Sequence, residues 1–413
     1  MTTMDKTIGQ LREQHRRDYD VYAQTTIAEH LAELADRREK CPVSFSADGG
    51  FWVLSSYDDM SSVLRRNNRG FISFPNMPDG SQAFGQKRMI PLEIDGSLHR
   101  QYRQILEPFF SPDAVAKLEP RIRRVANDLI DNFIERGRCD FDPEFAFPYP
   151  GTTFMALMGW PLEDAAKLTK WVDIFLHGIP GAPQEETDKA RAEASAGVHG
   201  YVMELIEKRR TNRTDDITSH LLEAEIDGAP IPLEDLFDLF LVMMLAGLDT
   251  VQSVLGQSMA YLGRNPDKWA EMFSSPEKLE PAVEELLRWS SPAVPTRNVA
   301  AESAKVGDLE LPKGERVHCP LGAANRDPKY FEDPDEVKFD RPPKPHLTFG
   351  LGAHRCIGVH LARLELKIAF TELHRRIPEF RLADGVEITE HLGLTWGVEN
   401  VELVFEPGRR ENA

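Results

Sequence analysis

The sequence predicts a mainly α protein with small β-sheets, folded as a single domain over residues 1–413. Three features predict it. Helical periodicity runs through most of the chain, and strand-like alternation is confined to two compact segments and a short terminal one. No internal repeat, low-complexity stretch or flexible linker breaks that pattern.

Along the chain, PVSFSADGGFWVLSSY alternates around Gly49-Gly50 and reads as a hairpin. Residues 112–137 form one expected helix, with Val115, Leu118, Ile122, Val125, Leu129 and Ile130 at helical spacing. Ser111 can cap it, and Pro112 in its first position gives up only an amide that had no partner. The same period marks 162–177, 185–210, 233–263, 276–289 and 359–376. AKVGDLELPKGERVHC repeats the strand logic, with turns at Gly307-Asp308 and Pro312-Lys313-Gly314. VELVFEP supplies a last strand. Pro342-Pro343-Lys344-Pro345 is too short to separate domains.

With 413 residues a large core is available. The net charge of -18 repels nucleic acid, so DNA and RNA are not expected partners. Cys41, Cys139, Cys319 and Cys356 lie far apart with no CxxC pair, which suggests neither a disulfide framework nor a zinc ribbon and fits a reducing cytoplasm. The N-terminus is polar and has no signal-peptide core. Leu239–Leu248, the longest uninterrupted apolar run, is shorter than the ~20 residues that span a bilayer. A soluble, cytoplasmic protein without a membrane partner is expected.

HLTFGLGAHRCIGVHLARLELKIAF carries the most chemistry. Phe349-Gly350-Leu351-Gly352 reads as a tight turn that lets backbone approach a flat, bulky group. Cys356 follows near the start of a helix that continues through Gly358, Leu361, Leu364 and Ile368. A thiolate there is stabilised by unpaired amides and the helix dipole, as an electron-donating haem ligand requires. Two other readings of these residues stand: a buried structural cysteine, or a zinc site from His354, Cys356 and His360. The glycine turn has no role in a zinc site, and no fourth ligand stands at familiar spacing.

Phe349, Gly352, Cys356 and Gly358 match F-x-x-G-x-x-x-C-x-G, so the chain resembles the cytochromes P450. The resemblance implies the P450 fold, a triangular prism with haem between a long central helix and the cysteine loop. It implies haem b bound through Cys356, with Phe349, Gly350, Ala246 and Gly358 around it. Glu285 and Arg288, three apart on one helical face, match the family's E-x-x-R. Arg341 is then the third member of a structural network under the haem. Alone, the pair at 285 and 288 would be an ordinary surface ion pair.

Ala246-Gly247-Leu248-Asp249-Thr250 matches the family's oxygen-activation motif. Gly247 costs about 1 kcal/mol against alanine within a helix, a cost that packing does not explain. By resemblance Gly247 opens room for O2, Thr250 holds a hydroxyl and its water in that groove, and Asp249 passes protons inward from solvent. His99, Arg103, Arg297 and His354 are implied as haem propionate anchors. An apolar substrate pocket is implied from Phe74, Phe84, Met89, Ile90, Phe175, Leu176, Val242, Met243, Ala246, Ala293, Val294, Thr296, Thr395 and Trp396.

The implied activity is O2-dependent hydroxylation of a small apolar molecule. A terpenoid is the first choice because the chain looks similar to the soluble three-component bacterial type that includes camphor hydroxylase; steroids and alkyl-aromatics are alternatives. The chain ends shortly after the cysteine helix, so no fused reductase is expected. Electrons then come from NAD(P)H through a reductase and an iron–sulfur ferredoxin, docking at Arg100, Lys344, Arg355 and Arg363. A peroxide-driven or nitric-oxide-reducing haem–thiolate enzyme and a haem-based sensor are rivals. None of them has a use for the Asp249-Thr250 pair.

Overall fold

A computed structural model describes residues 7–66, 69–76, 88–179, 182–393 and 395–411. Contacts group the chain into two compact units: one of residues 1–99, 253–359 and 381–401, the other of 100–252, 360–380 and 402–413.

The first unit holds the principal sheet. Its strand order is Val43–Ser46, Phe51–Leu54, Arg316–His318, Thr296–Val299, Phe71–Ile72. The expected hairpin forms, with Ser46 opposite Phe51, and Gly50 makes the turn at φ +65°. The second alternating segment divides as its turns dictate. Ser303–Val306 pairs with Leu309–Pro312 across Gly307, whereas Arg316–His318 leaves to join the main sheet. There Val317 lies beside Trp52 and His318 opposite Thr296.

Behind this sheet lies a buried polar cluster. The Tyr19 hydroxyl and His30 Nε2 are 2.7 Å apart, and His318 Nδ1 lies 3.3 Å from Thr296 Oγ1. Burial pushes the His318 pKa down to about 3 and lowers that of His30. Both imidazoles are neutral in the fold, while unfolded histidines gain protons below about pH 6.5. Their contribution is complete above that pH and is lost as pH falls towards the folded value. At pH 5 the cost from His318 alone is about 2 kcal/mol. His318→Asn is expected to flatten the acid limb of a urea-midpoint-versus-pH curve; an unchanged limb would assign the sensitivity elsewhere.

The second unit is largely helical; one strand pair sets Cys139 opposite Leu403 and a short one joins Glu225–Ile226 to Ala229–Pro230. The expected helix over 112–137 is interrupted. Pro112–Ala116, capped by Ser111 Oγ, is followed by Glu119–Asp131, and a turn of Ile134–Arg136 ends at Gly137 with φ +65°. Pro120 explains the break, since it has no N–H for the carbonyl one turn back. The expected spans at 162–177 and 185–210 appear as Leu162–Asp164 with Ala165–His177, and as Gln184–Thr211. Tyr149 donates to the carbonyl of Glu365 at 2.9 Å, and Arg376 pairs with Asp131 at 2.6 Å, fastening Val359–Arg376 within this unit.

Leu233–Arg264, with 32 residues, is long and apolar enough to cross a membrane by length and composition. Yet 72% of its most apolar window is buried inside the structure, as in a core helix.

Candidate active site

The cysteine loop is a stack of short backbone bonds. Gly350 N donates to Leu347 O at 2.7 Å, Arg355 N to Gly352 O at 3.2 Å, and Cys356 N to Phe349 O at 2.8 Å. Gly350 and Gly352 adopt φ of +63° and +74°, which few other residues tolerate. A Cβ on Gly352 would stand 2.6 Å from Leu64 O. The close approach that selects glycine at 352 is therefore to the end of the helix Tyr57–Arg65. At Gly358 the nearest atom to an added Cβ is Cys356 Sγ, at 3.8 Å.

Cys356 precedes the first helical residue, Val359, by three positions, and it is exposed. The other three cysteines differ. Burial raises the thiol pKa of Cys319 to about 12, and raises those of Cys139 and Cys41 as well. Of the four cysteines, Cys356 is the exposed one, and it lies just before a helix N-terminus. Among the described residues, no three His, Cys, Asp or Glu side chains gather as metal ligands, so the zinc reading has no ligand set there.

The loop rests on a buried polar network. Arg288 donates to Glu285 through Nε and Nη2, each at 2.7 Å, and Arg341 Nε lies 3.1 Å from both Glu285 oxygens. Arg288 also reaches the carbonyls of Asn325, Pro334 and Glu336 at 2.8, 2.8 and 3.1 Å. Asn325 carries the connection onward: its Oδ1 accepts from Leu347 N at 2.6 Å and its Nδ2 reaches Thr348 Oγ1 at 2.9 Å. This path ends immediately before Phe349. The surface-pair alternative for Glu285 and Arg288 is thereby corrected, since both are buried.

The four candidate anchors have distinct surroundings. The rings of His99 and His354 lie 4.1 Å apart between centroids, and His354 Nε2 is 3.0 Å from Asp95 Oδ1. Arg103 pairs with Glu107 at 3.2 Å in the second unit. Arg297 is buried on Thr296–Val299; its Nη1 donates to Thr296 O at 2.7 Å, and its Nε has no partner among the described residues. Burial lowers its pKa, opposed by Cys319 and Asp95.

On the central helix Leu233–Arg264, Ala246 is exposed although it lies within the apolar run. Val242 and Met243 are buried one turn before it. Thr250 Oγ1 donates to Ala246 O at 2.8 Å, a side-chain bond to the helical carbonyl one turn earlier. Asp249 is buried beside it. A Cβ on Gly247 would meet only Phe154, at 3.9 Å, so no packing within the protein demands glycine there.

Two expected pocket residues turn instead into the core. Thr296 is fully buried with its hydroxyl on His318, because β alternation sends it to the face opposite Arg297. Trp396 is 1% exposed and packs edge-to-face on His30 at 5.3 Å. Its neighbour Thr395 forms an isolated bridge with Ala293 and is half-buried, as is Ala293; Val294 is buried. Phe74 is half-buried, and Met89 and Ile90 are buried. Phe84 lies outside the described residues, as do the side chains of Phe175 and Leu176.

Comparison with known proteins decides the family. The profile for cytochrome P450 matches residues 276–388. Over 383 residues, 91% of this chain and 90% of the relative, the sequence is 34% identical to a probable cytochrome P450 127A1 of Sinorhizobium fredii. The chain belongs to the cytochrome P450 family. This P450 is also 30% identical over 387 residues to a steroid C26-monooxygenase of Mycolicibacterium smegmatis, covering 88% of each chain. Among solved structures it is similar to CYP101C1 (TM-score 0.84, 26% identity, 95% and 98% covered). It is likewise similar to CYP109E1 from Bacillus megaterium in complex with testosterone (TM-score 0.81, 26% identity, 91% and 97% covered). It is thus a monooxygenase of the bacterial camphor-hydroxylase-like type, with the P450 fold. Haem, O2, an electron donor and a hydrophobic substrate come with that membership.

The residues of this P450 fit haem. Arg297 offers a buried N–H without an acceptor, which an acidic propionate would supply. Cys356 is an exposed cysteine just before a helix N-terminus. Sequence reasoning passed over Asp95 and Asn325, whose partners lie far away in the chain, and Glu93, whose partners are backbone amides.

Proposed function

We propose that this P450 hydroxylates a small apolar, terpenoid-like molecule with O2 and two electrons from NAD(P)H, delivered by a reductase and an iron–sulfur ferredoxin. Its fold is taken as one domain over 1–413, working in the cytoplasm. Cys356 would hold haem iron through sulfur, and Arg297, His354, Arg103 and His99 would face the propionates. When bound, haem supplies the metal at which O2 is activated by two electrons.

The chain's own residues bring the protons and the substrate. Gly247 and Ala246 leave space along the central helix. Thr250 turns its hydroxyl between Ala246 O and that space, and orders a water there. Buried Asp249 passes protons towards it. Val242, Met243, Met89, Ile90, Phe74 and Val294 offer apolar surface, where each buried CH2 contributes about 0.8 kcal/mol. The observation that carries the reading is Ala246: it is exposed within a buried apolar run, one turn before a threonine hydroxyl bonded to its carbonyl.

The test is a titration of the haem-loaded protein with terpenoids, steroids and alkyl-aromatics, read by the spectral change on displacing iron-bound water, followed by product analysis. Tightest binding and hydroxylation of a terpenoid supports the reading. Preference for a steroid would favour the second reading, suggested by the steroid C26-monooxygenase and the testosterone complex among the relatives. Turnover on hydrogen peroxide that outpaces turnover with ferredoxin and reductase would favour the peroxide-driven alternative. Oxygen binding without NAD(P)H consumption would favour a sensor. For docking, Arg100, Lys344 and Arg355 are exposed and Arg363 is half-buried; raised ionic strength should slow electron delivery.

Thr250→Ala is expected to keep NAD(P)H consumption within a few-fold of the parent while product per NAD(P)H falls about tenfold or more, the balance leaving as hydrogen peroxide. Measuring oxygen uptake, peroxide and product together checks this, and full coupling in the variant would remove Thr250 from proton delivery.

A further inference from the structure

Two acidic side chains precede the helix Gly96–Leu106, and neither takes part in the oxygen chemistry above. Glu93 is 1% exposed. Its Oε1 accepts the backbone N–H of Asn76 at 2.9 Å, and its Oε2 accepts that of Met89 at 3.0 Å. Its own N–H donates to Met89 O at 2.7 Å. Both backbone polar groups of Met89 therefore end on Glu93. One carboxyl joins two flanks that the sequence separates by residues 77–88.

Further bonds extend the connection. Asn76 Oδ1 accepts from Thr296 N at 3.2 Å, and Pro75 O accepts from Asn298 Nδ2 at 2.7 Å, so the first flank is fastened to Thr296–Val299. The Arg88 guanidinium lies 4.7 Å from the Phe74 ring centroid, a second tie between the two flanks. Asp95 then takes Ser73 N at 2.9 Å through one oxygen and His354 Nε2 at 3.0 Å through the other. The flanks are thus linked to a residue two places before Cys356.

We propose that Glu93 is a positioning residue that sets substrate specificity, by fixing Phe74, Met89 and Ile90 in place without touching substrate itself. This rests on the reading of those three side chains as pocket wall. A carboxyl has acceptors for both amides. A glutamine in its place keeps one acceptor and turns an NH2 towards the other amide, leaving a buried donor unpaired at almost unchanged volume. Glu93→Gln therefore releases one flank while preserving the packing around it.

The experiment uses the haem-loaded full chain and two nitrogenous probes. 4-Phenylimidazole reaches the iron and also presses a ring against the pocket wall, whereas imidazole reaches the iron alone. Glu93→Gln is expected to raise the Kd of 4-phenylimidazole about tenfold, equivalent to about 1.4 kcal/mol. The Kd of imidazole should stay within about twofold, with the ferrous–carbon monoxide spectrum unchanged. Met89→Ala is the control for the pocket reading and should also weaken 4-phenylimidazole. If Met89→Ala weakens it and Glu93→Gln does not, the proposal is overturned while the pocket stands. If neither changes it, the pocket reading fails and the proposal with it. Equal weakening of both probes would mean a general disturbance around the haem, and that too overturns the proposal. Should Glu93→Gln yield no holoenzyme, Glu93→Asp decides: it keeps the carboxylate but withdraws both acceptor oxygens from Asn76 N and Met89 N by one methylene, and an unshifted 4-phenylimidazole Kd would sink the idea.

Discussion

Cys356→Ala is expected to abolish the red-shifted ferrous–carbon monoxide band and to eliminate oxygen insertion, while the polypeptide still folds. The side chain is exposed, so its removal leaves no core cavity. The backbone bond from Cys356 N to Phe349 O does not depend on the sulfur and should keep the loop shape. What disappears is the most exposed of the four cysteines, Cys41 being half-buried with its thiol pKa raised by burial. Cys319 is fully buried with its pKa pushed up to about 12, and Cys139 is buried as well, so neither offers a thiolate in exchange. The checks are the reduced carbon monoxide difference spectrum and the haem content after purification. Retention of the red-shifted band in the alanine variant would move the ligand to another residue.

Arg288→Ala is expected to be nearly as damaging by a different route, costing about 3–5 kcal/mol of stability and most of the bound haem. Arg288 is 1% exposed and serves Glu285 together with three backbone carbonyls. Truncation takes the Arg288 donor from the Asn325 and Pro334 carbonyls, leaves Glu336 O to Arg341 alone, and leaves Glu285 to Arg341 and the backbone N–H of Lys338. Because Asn325 O is one of the three, the disturbance reaches Leu347 and Thr348 and so the base of the cysteine loop. Lysine should not rescue, since a single ammonium cannot reproduce the planar fork. Urea midpoints and haem-to-protein ratios of the two variants provide the measurement. A loss below about 1 kcal/mol, typical of an exposed pair, would show that the network is dispensable.

Much of the site was legible in linear sequence because its chemistry is local. The turn at Phe349–Gly352, Cys356 just before a helix and the Ala246–Thr250 run each lie within a few residues, so spacing alone exposes them. Even the error over 112–137 carried its own signal in Pro120, which the hydrophobic period had overridden. Thr296 and Trp396 were misplaced because apolar or aromatic character says nothing of which face a residue takes; strand alternation and His30 settled that. Asp95 and Asn325 escaped notice because their partners are remote in sequence, and Glu93 because its partners are backbone amides, which are present at almost every position.

By itself, the sequence determined the hairpin, several of the longer helices, the cysteine loop and membership of the P450 family, because periodicity, turn chemistry and short motifs need only neighbours along the chain. Tertiary structure alone decided that Glu285 and Arg288 are buried and continued by Asn325, that Gly352 is needed against Leu64, and that one glutamate ties residue 76 to residue 89. Burial and long-range pairing arise when distant segments exclude water together, and no local pattern of residues encodes which polar group will then find which partner.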